Sequence, residues 1–389
     1  MKNIPYSRQY ISKKDIASVS KSLKENLITS GNNTELFEKK LSTYCKSRFA
    51  SLVSSATAAL HLACLALGVK NNDIVWCSAN SFVATSNAAL YCGAKIDFID
   101  INLDDYNISE KNLKNKLEKT DKKKHPKIVI VTHMGGIPSN LEAIHKLSKK
   151  YNFIIIEDAS HALGSSYKNK RIGSCEFSSI CIFSFHPIKT ITTGEGGACL
   201  TNDFEIDKKI KQLRSHGIIR NLNKKNFNKF YYEQIDLGYN YRLSDINAAL
   251  GISQIKRINK ILKSRNNVSN FYRKNLKSKN IVFTVSKSDK SSSNHLFIIR
   301  LNNHNLVKYQ KKIIDYLLKN KILVNIHYYP IYLHPYYKKL GFKKGYCPNS
   351  EAYYNSSFSI PIYEGISKKE LKFICTKITF VIIKYLKLN

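Results

Sequence analysis

One lysine stands where an apolar run enters a glycine-rich loop. Ser179-Ile180-Cys181-Ile182-Phe183-Ser184-Phe185 leads into His186-Pro187-Ile188-Lys189-Thr190 and then Gly194-Glu195-Gly196-Gly197. The run, bounded by turn residues, has the pattern of a short buried strand. Pro187 disfavours a helix after it, and the glycines let backbone approach a ligand closely. Lys189 is flanked by Ile188 and Ile191 rather than by charges, which makes it a candidate for a desolvated amine able to form a Schiff base. The plainer alternative is a surface lysine in a chain holding 63 Lys and Arg.

A second group gives Lys189 its meaning. Asp158 closes Phe153-Ile154-Ile155-Ile156-Glu157-Asp158, and the carboxyl ends of strands are where open α/β sheets bind ligands. Taken alone it is equally a loop cap. Beside a Schiff-base lysine, such a carboxylate suits the ring nitrogen of pyridoxal phosphate, whose protonated ring serves as an electron sink. The cofactor's phosphate also needs a cradle. Ser54-Ser55-Ala56-Thr57-Ala58-Ala59-Leu60 reads as a strand, a small-residue turn and a helix start. Free N–H groups and the helix dipole favour a dianion there, with Thr57 as a capping candidate. Ser184 can add a hydroxyl, and Phe82 can stack on the ring, although a lone Phe is more often core. No G-x-x-x-x-G-K-[ST] run exists, so a nucleotide P-loop is not indicated.

These residues need a scaffold. Over residues 1–255, short apolar runs alternate with amphipathic stretches, the pattern of a mainly parallel sheet covered on both faces by helices. Strands are expected near 50–53, 95–100, 127–132 and 153–157. Helices are expected over 15–25, 34–46, 58–63, 141–151 and 203–214, with the lysine-rich segment 114–125 closing another. A single long helix is expected over 245–273. Further on, strands at 294–301 and 322–327 bracket a helix at 307–319, residues 286–293 form a polar loop, and 367–386 is helical. The fold class is α/β: a large domain over 1–255 and a smaller C-terminal α/β domain over 256–389.

Composition narrows the function. Apolar content of 43% and charged content of 23% are ordinary for a globular protein. The formal charge of +35 is not. Such a field draws anionic small molecules inward and raises the alternative of a nucleic-acid-binding regulator. The lysines are dispersed, however, without an arginine-rich arm or an RNP-type aromatic motif, so neither nucleic acid nor membrane is expected as a partner. The nine cysteines form no C-x-x-C pair, so no metal site is expected and reduced thiols in the cytoplasm fit best.

The motifs also follow a familiar order. Ser-Ala-Thr-Ala-Ala-Leu, Ser-Phe-Val-Ala-Thr, Glu-Asp-Ala-Ser-His-Ala-Leu-Gly, Phe-Ser-Phe-His-Pro-Ile-Lys-Thr-Ile-Thr-Thr-Gly-Glu-Gly-Gly and Gly-Tyr-Asn-Tyr-Arg-Leu-Ser-Asp succeed one another. Together they resemble the DegT/DnrJ/EryC1 family of nucleotide-sugar aminotransferases, which have the fold of type I pyridoxal phosphate enzymes. The resemblance spans nearly the whole chain. It implies a seven-stranded, mainly parallel sheet, with Lys189 as the cofactor-linking lysine and Asp158 on the pyridine nitrogen. It further implies His161 near the phenolic oxygen, Ala56, Thr57 and Ser184 at the phosphate, and Phe82 on the ring. Asn240 and Arg242 would enter the partner subunit's site of a homodimer. Arg242 reads equally as a helix-start ion pair with Asp245.

Ile4-Pro5-Tyr6-Ser7, Asn26-Leu27-Ile28-Thr29, Ser292-Ser293-Asn294-His295-Leu296 and Ile326-His327-Tyr328-Tyr329 resemble the pseudaminic-acid branch of that family. That branch aminates C4 of a UDP-linked 4-keto-6-deoxy-N-acetyl-L-sugar with L-glutamate as donor. The resemblance implies substrate contacts at Tyr6, Asn26, Leu27, Ile28, Thr29, His186, Arg242, Ile326, His327, Tyr328 and Tyr329. The tyrosine-rich 328–337 stretch reads equally as subunit interface. Relatives often carry Pro before Ser-Phe-Val-Ala-Thr, whereas this chain has Ala79-Asn80. Dehydratases of this fold replace the lysine with histidine, and Lys189 argues against that chemistry.

Overall fold

Alternating side chains on short, doubly buried strands set the architecture. The computed structural model describes residues 2–219, 231–276, 278–284 and 289–387. The central sheet has seven strands: β1 Phe49–Val53, β2 Ile74–Ser78, β3 Lys95–Ile99, β4 Ile128–Thr132, β5 Ile154–Asp158, β6 Ile180–Ser184 and β7 Gly197–Thr201. Their order is β1-β7-β6-β5-β4-β2-β3, and only β7 runs against the others. Successive residues of a strand face opposite sides. Val129, Val131, Cys181 and Phe183 accordingly enter one apolar core, while Ile128, Ile130, Ile180 and Ile182 enter the core on the other face. With both faces covered, these strands read as continuous apolar runs.

A third core lies in the C-terminal part, where Phe297–Leu301 pairs with Ile281–Phe283 and Ser357–Ile360 under the helix Lys368–Leu386. Ile4 belongs to this core and bridges to Ile322, so the N-terminal segment crosses back over the molecule.

Several expectations need correction. The long helix over 245–273 is two helices, Asp245–Ile255 and Ile258–Asn275, broken at Lys256-Arg257. No glycine or proline marks that break. Arg257 instead turns its guanidinium to Glu364 (2.6 Å) and the Tyr10 carbonyl (2.7 Å). The second helix then runs from the sheet core, at Ile258 and Ile261, into the third core, at Val268 and Tyr272. The helix expected over 307–319 is likewise split, into His304–Val307 and Gln310–Lys319. Residues 322–327 make only isolated bridges, Ile4 to Ile322 and Asn325 to Ser359. In the expected loop, Lys290–Ser291 pairs with Ser166–Tyr167, and residues 286–288 lie outside the described ones. Strands β2 and β7 and Ser357–Ile360 were not anticipated.

The helix Asp245–Ile255 packs on Asn32–Cys45 at Gly251, where an added Cβ would stand 2.3 Å from Cε1 of Phe37. Phe37 is fully buried against Phe185, the residue after β6. Ala normally improves on Gly inside a helix by about 1 kcal/mol. Here the boxed-in ring reverses the sign: Gly251→Ala should lower unfolding free energy by about 1–3 kcal/mol through overpacking. A urea titration showing a midpoint equal to or above that of the wild type would contradict this.

Candidate active site

The carboxyl ends of β1, β2, β4, β5 and β6 converge on a cavity of about 400 Å³. Its wall includes Lys189, Asp158, Ser184, Ala56, Thr57 and Phe82, as the sequence leads one to expect. Each position follows from the chain. Asp158 and Ser184 are the last residues of adjacent parallel strands. Lys189 follows in a loop closed by its own N–H on the His186 carbonyl (2.9 Å). That loop is held by the N-terminal segment, where the Ser7 hydroxyl donates to the Ile188 carbonyl (3.1 Å).

Lys189 is surrounded by protein except where it meets the cavity, and this burial lowers its ammonium pKa to about 8, against the opposing attraction of Asp158. Asp158 is 5% exposed. Its Oδ1 accepts from the Ser160 hydroxyl (2.6 Å) and amide (3.2 Å), and its Oδ2 accepts from the Thr85 hydroxyl (2.6 Å). A carboxylate has about four acceptor positions. Three are filled, and the remaining capacity is available toward the cavity.

The phosphate cradle forms at the start of the helix Ala56–Ala66. Ser55 caps it by accepting from the Ala58 amide (3.1 Å), and the Ala59 amide bonds to the Ser55 carbonyl. The first N–H groups of the helix, at Ala56 and Thr57, are left for a ligand. Gly197 pairs with both Val53 and Ser184 and so draws the cradle and the serine together. A Cβ on Gly197 would lie 2.6 Å from the Ala56 nitrogen, which explains the glycine.

Histidines gather on the opposite wall. His161 and His327 line the cavity, and His295 packs tilted against His161 with ring centroids 4.4 Å apart. Burial first, then the Lys189 charge, holds His161 well below its ordinary pKa and His327 at about 3. His295 is likewise held low by burial, with His161, Lys189 and Arg265 adding to the effect. The Tyr328 hydroxyl lies 3.2 Å from His161 Nε2, while His161 Nδ1 is buried without a partner. The Asn80 side-chain oxygen accepts from the Tyr328 amide (2.9 Å). It thereby ties the Phe82 loop to this wall, and Phe82 packs on Tyr328.

Tyr6 and His186 also face the cavity, joined by Asn325 and Glu195, which sequence reasoning missed. The run 326–329 does not act as a block. Asn325, His327 and Tyr328 reach the cavity, while Ile326 packs against the third core. Tyr329 packs on His334 and Tyr354 instead. Asn26, Leu27, Ile28, Thr29, Asn240 and Arg242 are not in this chain's cavity wall. The 26–29 stretch joins the 240–245 stretch, with Ile28 accepting from the Asp245 amide (3.0 Å) and Thr29 bridging Ser244. The Asp245 carboxylate accepts from the Gly31, Asn33 and Thr34 amides. Ser160 and Thr85, the donors to Asp158, were also missed as site residues. Ser160 had a signal in its place two residues after an Asp, where an Asx-type turn forms.

The set fits pyridoxal phosphate. It combines an amine that is readily neutral, a carboxylate with acceptor capacity to spare, a helix N-terminus for a dianion and an aromatic ring. Among the described residues there is no helix long and apolar enough to cross a membrane and no metal-ligating cluster.

Comparison with known proteins agrees with this geometry. Residues 9–379 match the DegT/DnrJ/EryC1/StrS aminotransferase family. The chain is 41% identical over 372 residues, 95% of either chain, to the UDP-4-amino-4,6-dideoxy-N-acetyl-beta-L-altrosamine transaminase of Campylobacter jejuni subsp. jejuni serotype O:23/36. Among solved structures, Helicobacter pylori PseC, an aminotransferase involved in the biosynthesis of pseudoaminic acid, superposes with a TM-score of 0.89. It is 31% identical and covers 97% of this chain and 99% of its own. Streptococcus pneumoniae Spr1654, regarded as a sugar aminotransferase, superposes in its PLP-form with a TM-score of 0.90 at 27% identity, covering 98% and 99%.

A pH dependence follows from Lys189. Only the neutral amine is nucleophilic, so covalent attachment of added pyridoxal phosphate to the apoprotein should accelerate as pH rises through about 8. It should level off near pH 9, well before an ordinary lysine would at about 10.4. Stopped-flow absorbance from pH 6.5 to 10.5 reads this, and a rate still climbing beyond pH 10 would exclude a desolvated amine.

Proposed function

The chain belongs to the DegT/DnrJ/EryC1/StrS aminotransferase family, and from that premise we propose that it is a nucleotide-sugar aminotransferase that holds pyridoxal phosphate. It moves the amino group of L-glutamate to C4 of a UDP-linked 4-keto-6-deoxy-N-acetyl-L-hexose. The observation that carries this reading is the meeting, in one cavity, of the desolvated Lys189 amine and the buried Asp158 carboxylate. The choice of sugar is supported by the identity to the Campylobacter jejuni enzyme. GDP-perosamine synthase of Escherichia coli O157:H7, at 29% identity, represents the competing choice of nucleotide and sugar.

When bound, the cofactor supplies an electron sink next to the carbon that loses its proton. The remaining work falls to this chain. Asp158, whose carboxylate is oriented by three other donors, would hold the ring N–H. Lys189 Nζ would anchor the cofactor, and its freed amine would take the α-proton of the amino donor and give it up at the cofactor carbon. It performs the reverse for the keto sugar, giving ping-pong kinetics. His161, neutral in its dry setting, offers a hydrogen bond without a competing positive charge. The N–H groups of Ala56 and Thr57, with the Ser184 hydroxyl, would hold the phosphate, and Phe82 would pack on the ring. Tyr6, Asn325, His186 and His327 face the substrate end of the cavity. The field of the +35 charge draws in a nucleotide sugar and glutamate, both anions. The nine free thiols suit a cytoplasmic setting.

The working unit in this reading is a homodimer with shared sites. In this reading Asn26, Leu27, Ile28, Thr29, Asn240 and Arg242 reach the partner's cavity, and none of them lines the cavity of its own chain.

Two outcomes are expected. Purified protein with glutamate and a panel of keto-sugar nucleotides should aminate the UDP-N-acetyl-L-sugar, identified by mass and NMR, and Lys189→Ala should abolish turnover. A preference for a GDP-linked sugar would overturn the substrate assignment, and turnover by Lys189→Ala the mechanism. For the shared site, Asn240→Ala and Lys189→Ala chains are each nearly inactive. Mixed after dissociation, they should regain about a quarter of wild-type activity, because half the dimers are mixed and each carries one intact site. No recovery after proven exchange would place both residues in one chain's site.

A further inference from the structure

Asp158 is the end of a longer chain of hydroxyl groups. Thr85 donates to Asp158 Oδ2 (2.6 Å), and Ser81 lies 2.7 Å from the Thr85 oxygen. The Thr132 hydroxyl lies 3.0 Å from that of Ser81 and donates to it. All four side chains are at most 5% exposed. We propose that Thr132, Ser81 and Thr85 form a one-way hydroxyl relay that orients the Asp158 carboxylate toward the ring nitrogen of the cofactor. The proposal rests on the aminotransferase reading of the site.

The direction of the relay is forced. An ionised carboxylate only accepts, so the single hydrogen of Thr85 is committed to Asp158. Ser81 must then donate to Thr85, which leaves its own oxygen to accept from Thr132. Each donor is polarised by the next acceptor, and in a dry interior such chains strengthen cooperatively toward a charge at their end. The three residues come from three places: Thr132 ends β4, in register with Asp158 on β5, Ser81 lies in the loop after β2, and Thr85 begins the following helix. The relay therefore also fixes Phe82, which sits between Ser81 and Thr85. A purely structural role would need only that each hydroxyl find some partner. It would not require every proton to run toward the carboxylate.

These are positioning residues, and the test must read the cofactor as well as the rate. Wild type, Thr85→Val, Thr85→Ser and Thr132→Val would each be loaded with pyridoxal phosphate labelled with 15N in the ring. The ring resonance of Thr85→Val should move toward the unprotonated value and kcat should fall about tenfold or more, with KM for glutamate little changed. Thr85→Ser should restore both. Thr132→Val, two links from the carboxylate, should shift the resonance in the same direction by less, and it carries the test if Thr85→Val does not fold. A Thr85→Val resonance coinciding with that of wild type, or a Thr132→Val one where only that variant folds, overturns the relay. Failure of wild type to bind the label would instead strike down the cofactor reading itself.

Discussion

The structure depends on holding an easily deprotonated amine and a carboxylate together inside one small cavity. Burial penalises both charged forms. For Lys189 the penalty is left to act, and its pKa falls to about 8 even with Asp158 pulling the other way. Asp158 instead receives three hydrogen bonds, from the Thr85 hydroxyl and from the Ser160 hydroxyl and amide. The two groups are neighbours because β5 and β6 are adjacent and parallel, which puts both strand ends on one side of the sheet. A parallel sheet in turn needs helices on both faces, so much of the large apolar interior follows from the demand that these ends coincide.

The fold was legible where a pattern repeats and hidden where a single contact decides. Apolar runs such as Ile128–Thr132 and Ile154–Asp158 read as buried strands because both faces are covered. Gly197–Thr201 was not read that way, since its glycine belongs equally to the loop before it. The break at Lys256-Arg257 has no local signal. It is made by Arg257 reaching Glu364, a residue far away in sequence. Extended residues 322–327 have strand character but lack a neighbour along most of their length, so they form bridges rather than a ladder.

The same division runs through the site. Lys189, Asp158 and the cradle at Ala56 and Thr57 were legible because their chemistry requires a residue type at a strand end or helix start. Asn325 and Glu195 were not, because an exposed polar residue in a loop has no local feature that tells which way it faces. Thr85 lay inside a recognised motif, yet only the folded geometry brings its hydroxyl to 2.6 Å from Asp158. His295 was seen as part of a motif, and its packing against His161 is visible only once the C-terminal segment is folded against the sheet.

The three histidines complete the electrostatic argument. Burial is the first cause lowering each of them, with the Lys189 charge a lesser one. Interactions between charges are mutual, so a lysine that loses its charge relieves the histidines of that repulsion. Burial is unchanged by this, and the histidines stay neutral whether Lys189 is charged, neutral or covalently engaged. A wall that keeps one protonation state throughout acts as a fixed array of dipoles rather than a set of acids. Lys189 is then the group in this wall that changes its proton near neutral pH, and the proton it takes from one substrate remains available to return to the next.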